Sequence, residues 1–147
     1  MQLDNLYQEV ILDHYKRPEF KKLAEFFFVQ VHHVNPSCGD EITLQLSLST
    51  ENQIELTWDG IGCSISMASA SVMAGLLNGK SLEQAAPIFE EFVSLMQSKG
   101  LATGDEEVLE DAVAFSGVSK YPARIKCALL AWMAFKDASV QVQVQVK

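Results

Sequence analysis

Apolar and polar residues alternate strictly in two neighbouring stretches near the middle of the chain. In EITLQLSLS, Ile42, Leu44, Leu46 and Leu48 share one face, and in QIELTW, Ile54, Leu56 and Trp58 share another. A period of two marks half-buried strands, and the polar TEN between them, residues 50–52, reads as a hairpin connection. The aromatic and β-branched run over residues 26–34 predicts a further strand. Together these give a small antiparallel sheet with one buried face. Ahead of it, Leu3, Leu6, Tyr7, Val10, Ile11, His14 and Tyr15 recur at helical spacing, which predicts an amphipathic helix over 3–15 with His14 on its polar edge. Pro18 ends that helix, because the residue before a proline is pushed out of the helical region.

From Ser64 the period changes. SISMASASVMAGLLNG is rich in small residues, which let a helix sit close to the sheet, and it closes on Asn-Gly, a helix terminator. Ser81 and Gln84 have capping-box spacing for another helix, and Pro87 inside it points to a late start or a kink. The polar SKGLATGDEE leads to a short helix through Phe115. Pro122 then suits the first turn of a last helix bearing Leu129, Leu130, Trp132, Met133 and Phe135. The closing VQVQVQVK has perfect period two with no evident pairing partner, and reads as a frayed terminus or an edge strand. No repeat or linker divides the chain. Residues 1–147 therefore read as one α+β domain, a small three-stranded antiparallel sheet packed against several α-helices.

Composition narrows the function. A chain of 147 residues, 48% hydrophobic and 20% charged, has enough apolar material for one core. Its net charge of −8, from 11 Lys+Arg against 19 Asp+Glu, argues against nucleic acid as a partner, since phosphate backbones need a dense basic face. No apolar run has the length of a membrane span, and the first residues, MQLDNLYQEV, lack the features of a secretory signal. The expected compartment is the cytoplasm, where thiols stay reduced.

That expectation makes the three cysteines informative. Cys38 precedes a strand, Cys63 opens a helix after the WDGIG turn, and Cys127 lies in an early turn of the last helix. Helix N-termini lower thiol pKa, so thiolates are expected at Cys63 and Cys127. Asp40 supplies a fourth donor, and with Gly39 between them Cys38 and Asp40 can face one point. Three sulfurs and one carboxylate oxygen suit tetrahedral zinc, and also iron held in a cluster. Spacing alone leaves two other readings open: buried structural thiols, and a nucleophilic cysteine with His32 or His33 as base.

Four segments together carry more information than the spacing. LYQEVILDHYKRPEF, NPSCGDEITLQL, GIGCSISMASASVM and GVSKYPARIKCALLAW occur in this order and cover most of the chain. In them the chain resembles the SufU family, the U-type iron–sulfur cluster assembly proteins related to the IscU and NifU scaffolds. Lys126 stands where the scaffold branch has a histidine before its last cysteine, and a long segment separates Cys63 from Cys127; both features point to the SufU branch. The resemblance implies an α+β sandwich and zinc ligands at Cys38, Asp40, Cys63 and Cys127. It implies a functional arginine at Arg124, and Cys38 as acceptor of persulfide sulfur from a SufS-like cysteine desulfurase. The sulfur would pass toward downstream iron–sulfur assembly components, a sulfurtransferase-like role. The alternative is a scaffold that binds a transient iron–sulfur cluster on the same ligands. Two stretches depart from the family pattern: AEFFFVQVHHV is unusually aromatic, and VQVQVQVK has no counterpart.

Overall fold

The structure is a computed structural model that describes residues 2–145, with side chains from residue 5 onward. Helix α1 (Gln2–Lys16) precedes three strands, β1 (Val29–Asn35), β2 (Asp40–Leu48) and β3 (Ile54–Ile61). Helices α2 (Ser64–Leu77), α3 (Leu82–Gln97) and α4 (Glu106–Leu109) follow, then a 3₁₀ segment (Glu110–Lys120) and α5 (Pro122–Gln145). The strands form one antiparallel sheet in the order β1-β2-β3. The fold is thus the α+β arrangement that the alternation predicts.

Register explains the core. Leu44 lies opposite Val31 and Trp58, and Leu46 opposite Val29 and Leu56, so the apolar positions line up in rows across the sheet. All of them are buried, and α2 and α5 cover that face. Burying each large side chain contributes about 1.5–3 kcal/mol. Small residues let α2 run through the centre of the molecule, with nearly its whole circumference buried. Ser69 clamps it to α5: its hydroxyl donates to the Ala128 carbonyl (2.6 Å) and accepts from Trp132 Nε1 (3.1 Å).

Three expectations are corrected. The strand expected from residue 26 begins at Val29, and Phe26 is 84% exposed. The preceding segment instead crosses the outer face of the sheet. The Phe20 carbonyl accepts from Trp58 N–H (3.1 Å), Ala24 N–H donates to Gln45 Oε1 (2.7 Å), and Phe28 N–H donates to Ser47 Oγ (2.9 Å). This strap buries Gln45 on what would otherwise be a wet face.

The period-two tail is helical as far as Gln145, neither frayed nor an edge strand. The inner stripe of α5 passes through Ala131, Phe135, Ala138 and Val142, so Val142 is buried while Val140 and Val144 face solvent. Val146 and Lys147 lie outside the described residues. Finally, α3 starts at Leu82 with a complete capping box, so Pro87 does not delay it. Gln84 N–H donates to Ser81 Oγ (3.1 Å) and Ser81 N–H to Gln84 Oε1 (3.0 Å), an arrangement typically worth about 1 kcal/mol. Pro87 sits on the exposed side, where water can serve the carbonyl it leaves without a partner. Among the described residues no helix is long and apolar enough to cross a membrane.

Candidate metal centre

The loop between β1 and β2 folds back on itself. Asn35 pairs with Asp40 across the strands, and Cys38 N–H donates to the Asn35 carbonyl (3.2 Å). Gly39 takes φ +69°, the left-handed conformation that glycine adopts without steric cost, and returns the chain into β2. Cys38 is left exposed at the tip, while Asp40 is 1% exposed. At the far end of β3, Gly62 permits a second close approach. A Cβ there would sit 2.5 Å from Asp40 Oδ1 and 2.6 Å from Ser66 Oγ. With no side chain in the way, Cys63 caps α2 and its N–H donates to Asp40 Oδ1 (2.9 Å).

Cys127 comes from the second turn of α5 and is fully buried. Its Sγ lies 3.3 Å from Cys38 Sγ. The ligating atoms of Cys38, Asp40 and Cys127 all lie within 4.8 Å of one another. Tetrahedral zinc with bonds of about 2.0–2.3 Å sets its ligand atoms roughly 3.5–3.8 Å apart, so this donor set fits the ion in both chemistry and spread.

The sulfur of Cys63, the fourth expected ligand, falls outside that group. Its S–H points to Ser66 Oγ (3.7 Å), although the thiol stands near enough to Cys127 to act on its pKa. Arg124 is exposed one turn ahead of Cys127 and forms no ion pair among the described residues.

One expectation reverses. Burial pushes the Cys127 thiol far above its ordinary range, reinforced by hydrogen bonding with Cys38, Asp40 and Cys63. The start of α5 therefore does not make it a thiolate. A coordinating cation would, because metal-bound thiols lose their protons.

Sequence reading missed two residues. Asn35 is buried, and its Nδ2 donates to Asp40 Oδ2 (3.3 Å) and toward Cys127 Sγ (3.7 Å), tying the carboxylate to the thiol. Its only sequence signal was a place before proline in a turn. His14, expected on a polar edge, is buried: its Nδ1 bonds Ser71 Oγ (2.8 Å) and its Nε2 bonds Asp111 Oδ2 (3.0 Å). The histidine-base reading gains no pair, since His32 bonds Thr43 (3.0 Å) and His33 bonds Asp137 (2.8 Å).

Comparison with known proteins then decides the family. Residues 6–128 match the family described as NifU-like N terminal domain. The chain belongs to the NifU-like family. This NifU-like chain is 45% identical to the zinc-dependent sulfurtransferase SufU of Bacillus subtilis, over 91% of its length and 89% of the relative's. It is 38% identical to the iron–sulfur cluster assembly scaffold protein IscU of Streptococcus pyogenes, over 92% of this chain and 84% of that one. The solved N-terminal NifU-like protein of Brucella abortus shares the fold at 22% identity, with a TM-score of 0.83 over 97% of this chain and 98% of that chain.

Proposed function

We propose that this NifU-like protein is a zinc-dependent acceptor of persulfide sulfur, working with a SufS-like cysteine desulfurase in the cytoplasm and feeding iron–sulfur cluster assembly. The observation that carries the reading is an asymmetry. Two of the three clustered donors, Asp40 and Cys127, are buried, whereas the third, Cys38, stands at an exposed loop tip. A purely structural site would have no need to leave one thiol within reach of a partner.

Cys38, Asp40 and Cys127 would hold the zinc, with Cys63 as fourth donor from the neighbouring cap. When bound, zinc keeps these thiols deprotonated at neutral pH and holds the loops together. Asn35 orients the Asp40 carboxylate, and the Cys63 N–H anchors its other oxygen. As acceptor, the Cys38 thiolate attacks the outer sulfur of the partner's persulfide. A new S–S bond forms on Cys38, and the old one breaks to release the partner's cysteine as a thiolate, with no net oxidation. Arg124, exposed one turn ahead of Cys127, would serve to balance the charge of the thiolate or of the incoming persulfide.

Purified protein should carry about one zinc per chain by elemental analysis, and Cys38→Ala should abolish stimulation of the desulfurase. Metal-free, well-folded protein as isolated, or full stimulation by the variant, defeats the proposal. A reconstituted protein with a stable visible chromophore that transfers to an apo-acceptor would instead favour the scaffold role on the same ligands.

A further inference from the structure

A cleft of about 460 Å³ opens beside the cysteine cluster, within the size range of pockets that hold ligands. It lies between α1, the start of α2, the 3₁₀ segment and the first turn of α5. Ser64 in its wall directly follows Cys63, and Arg124 stands one turn ahead of Cys127, so the chain runs from the cleft wall to a candidate donor within three residues at two places. The other residues that decide its chemistry are Lys120, Tyr121 and Tyr7.

Its charge runs against the rest of the molecule. The lining holds two cations, Lys120 and Arg124, and no carboxylate, in a chain with 19 Asp+Glu and 11 Lys+Arg. Both cations are exposed, and neither forms an ion pair among the described residues. Tyr121 is 61% exposed, which leaves its ring available as an apolar grip. Across Tyr7 lies a second cleft of about 420 Å³ with the opposite character, lined by Glu106, Glu107, Glu110 and Asp111. The two clefts form a sharp electrostatic boundary. An anionic segment is drawn to one and repelled by the other, and such an arrangement sets register and speeds encounter.

We infer that the basic cleft receives an acidic segment of the desulfurase and so steers the partner's persulfide toward Cys38. This rests on the functional reading above and names the surface through which it operates. A protein segment suits the cleft better than free cysteine does. Two cations and two tyrosine rings call for several side chains at once, and the amino acid brings one carboxylate.

The test is binding of the desulfurase encoded in the same genome to the zinc-loaded protein at low and physiological salt, for wild type, Lys120→Glu and Lys120→Ala. Lys120→Glu should raise Kd about tenfold or more, mainly through slower association, and flatten the salt dependence. Lys120→Ala should shift both in the same direction by less. Zinc content and thermal midpoint serve as folding controls. Wild-type stimulation with variants indistinguishable in Kd and salt slope overturns this inference alone. A wild-type protein that gives no stimulation at all overturns the functional reading as well.

Discussion

Two polar clusters each tie three parts of this molecule together, and they differ in how completely they close on themselves. At one, His14 of α1 joins Ser71 of α2 to Asp111 of the 3₁₀ segment, and Glu19 N–H donates to the same Ser71 hydroxyl (2.8 Å). Both ring nitrogens of His14 have a partner, Ser71 Oγ at Nδ1 and Asp111 Oδ2 at Nε2. The spacings, 2.8 and 3.0 Å, are those of ordinary strong hydrogen bonds. At the other, Cys127 meets Cys38 at 3.3 Å and Asn35 at 3.7 Å, contacts in which thiols serve as weak donors and acceptors. The first cluster is complete as it stands and holds helices. The second gathers donors whose chemistry and spread suit a cation, joined to one another only by weak contacts.

Breaking the second cluster should have the largest effect. Cys127→Ala removes the innermost donor, and elemental analysis should find the zinc lost entirely while the helical circular dichroism signal persists. Retained stoichiometric metal would mean that the remaining donors suffice. Breaking the first should leave zinc in place but cost stability: His14→Ala strands Ser71 and should destabilise by about 2–3 kcal/mol in urea unfolding. If it also empties the metal centre, the clusters are not independent.

The smallest effect belongs to a third pair, His33 and Asp137, which lies at the rim and joins β1 to α5. The hydrogen bond from His33, then that from Gln141, holds the Asp137 carboxyl below its ordinary value of 3.8. A depressed acid pKa stabilises the fold above the unfolded value and loses that contribution as pH falls through the folded one. Because the carboxylate is 42% exposed, the gain should stay within ~0–1 kcal/mol. Urea midpoints of wild type should therefore drop slightly more between about pH 5 and pH 3 than those of Asp137→Asn. Parallel curves would remove the pair from the account.

The sequence was most readable where period and burial coincide. Ile42, Leu44 and Leu46 against Ile54, Leu56 and Trp58 announced the hairpin, because one face of it meets the core and the other does not. It misled where burial comes from elsewhere. Phe26 to Phe28 have strand-forming side chains, but the backbone there crosses the sheet and hydrogen-bonds its side chains and edges. The valines of the tail alternate, yet helical packing uses Val142 and leaves Val140 and Val144 in solvent. At the candidate centre, Cys38, Asp40 and Cys127 could be named from residue type and resemblance. Asn35 and His14 could not: Asn35 acts through a hairpin partner five positions on and through Cys127, 92 positions away, and His14 through partners 57 and 97 positions away, none of which residue type alone announces.

Gly62 gives the centre an unusual kind of adjustability. The carboxylate and the helix cap meet only because a single methyl group is missing between them, so alanine at that point would act as a wedge, driving Asp40 from Ser66 while leaving all the sulfur and oxygen donors chemically intact. Metal affinity at the candidate centre should thus be tunable from a position that supplies no donor, by sterics alone.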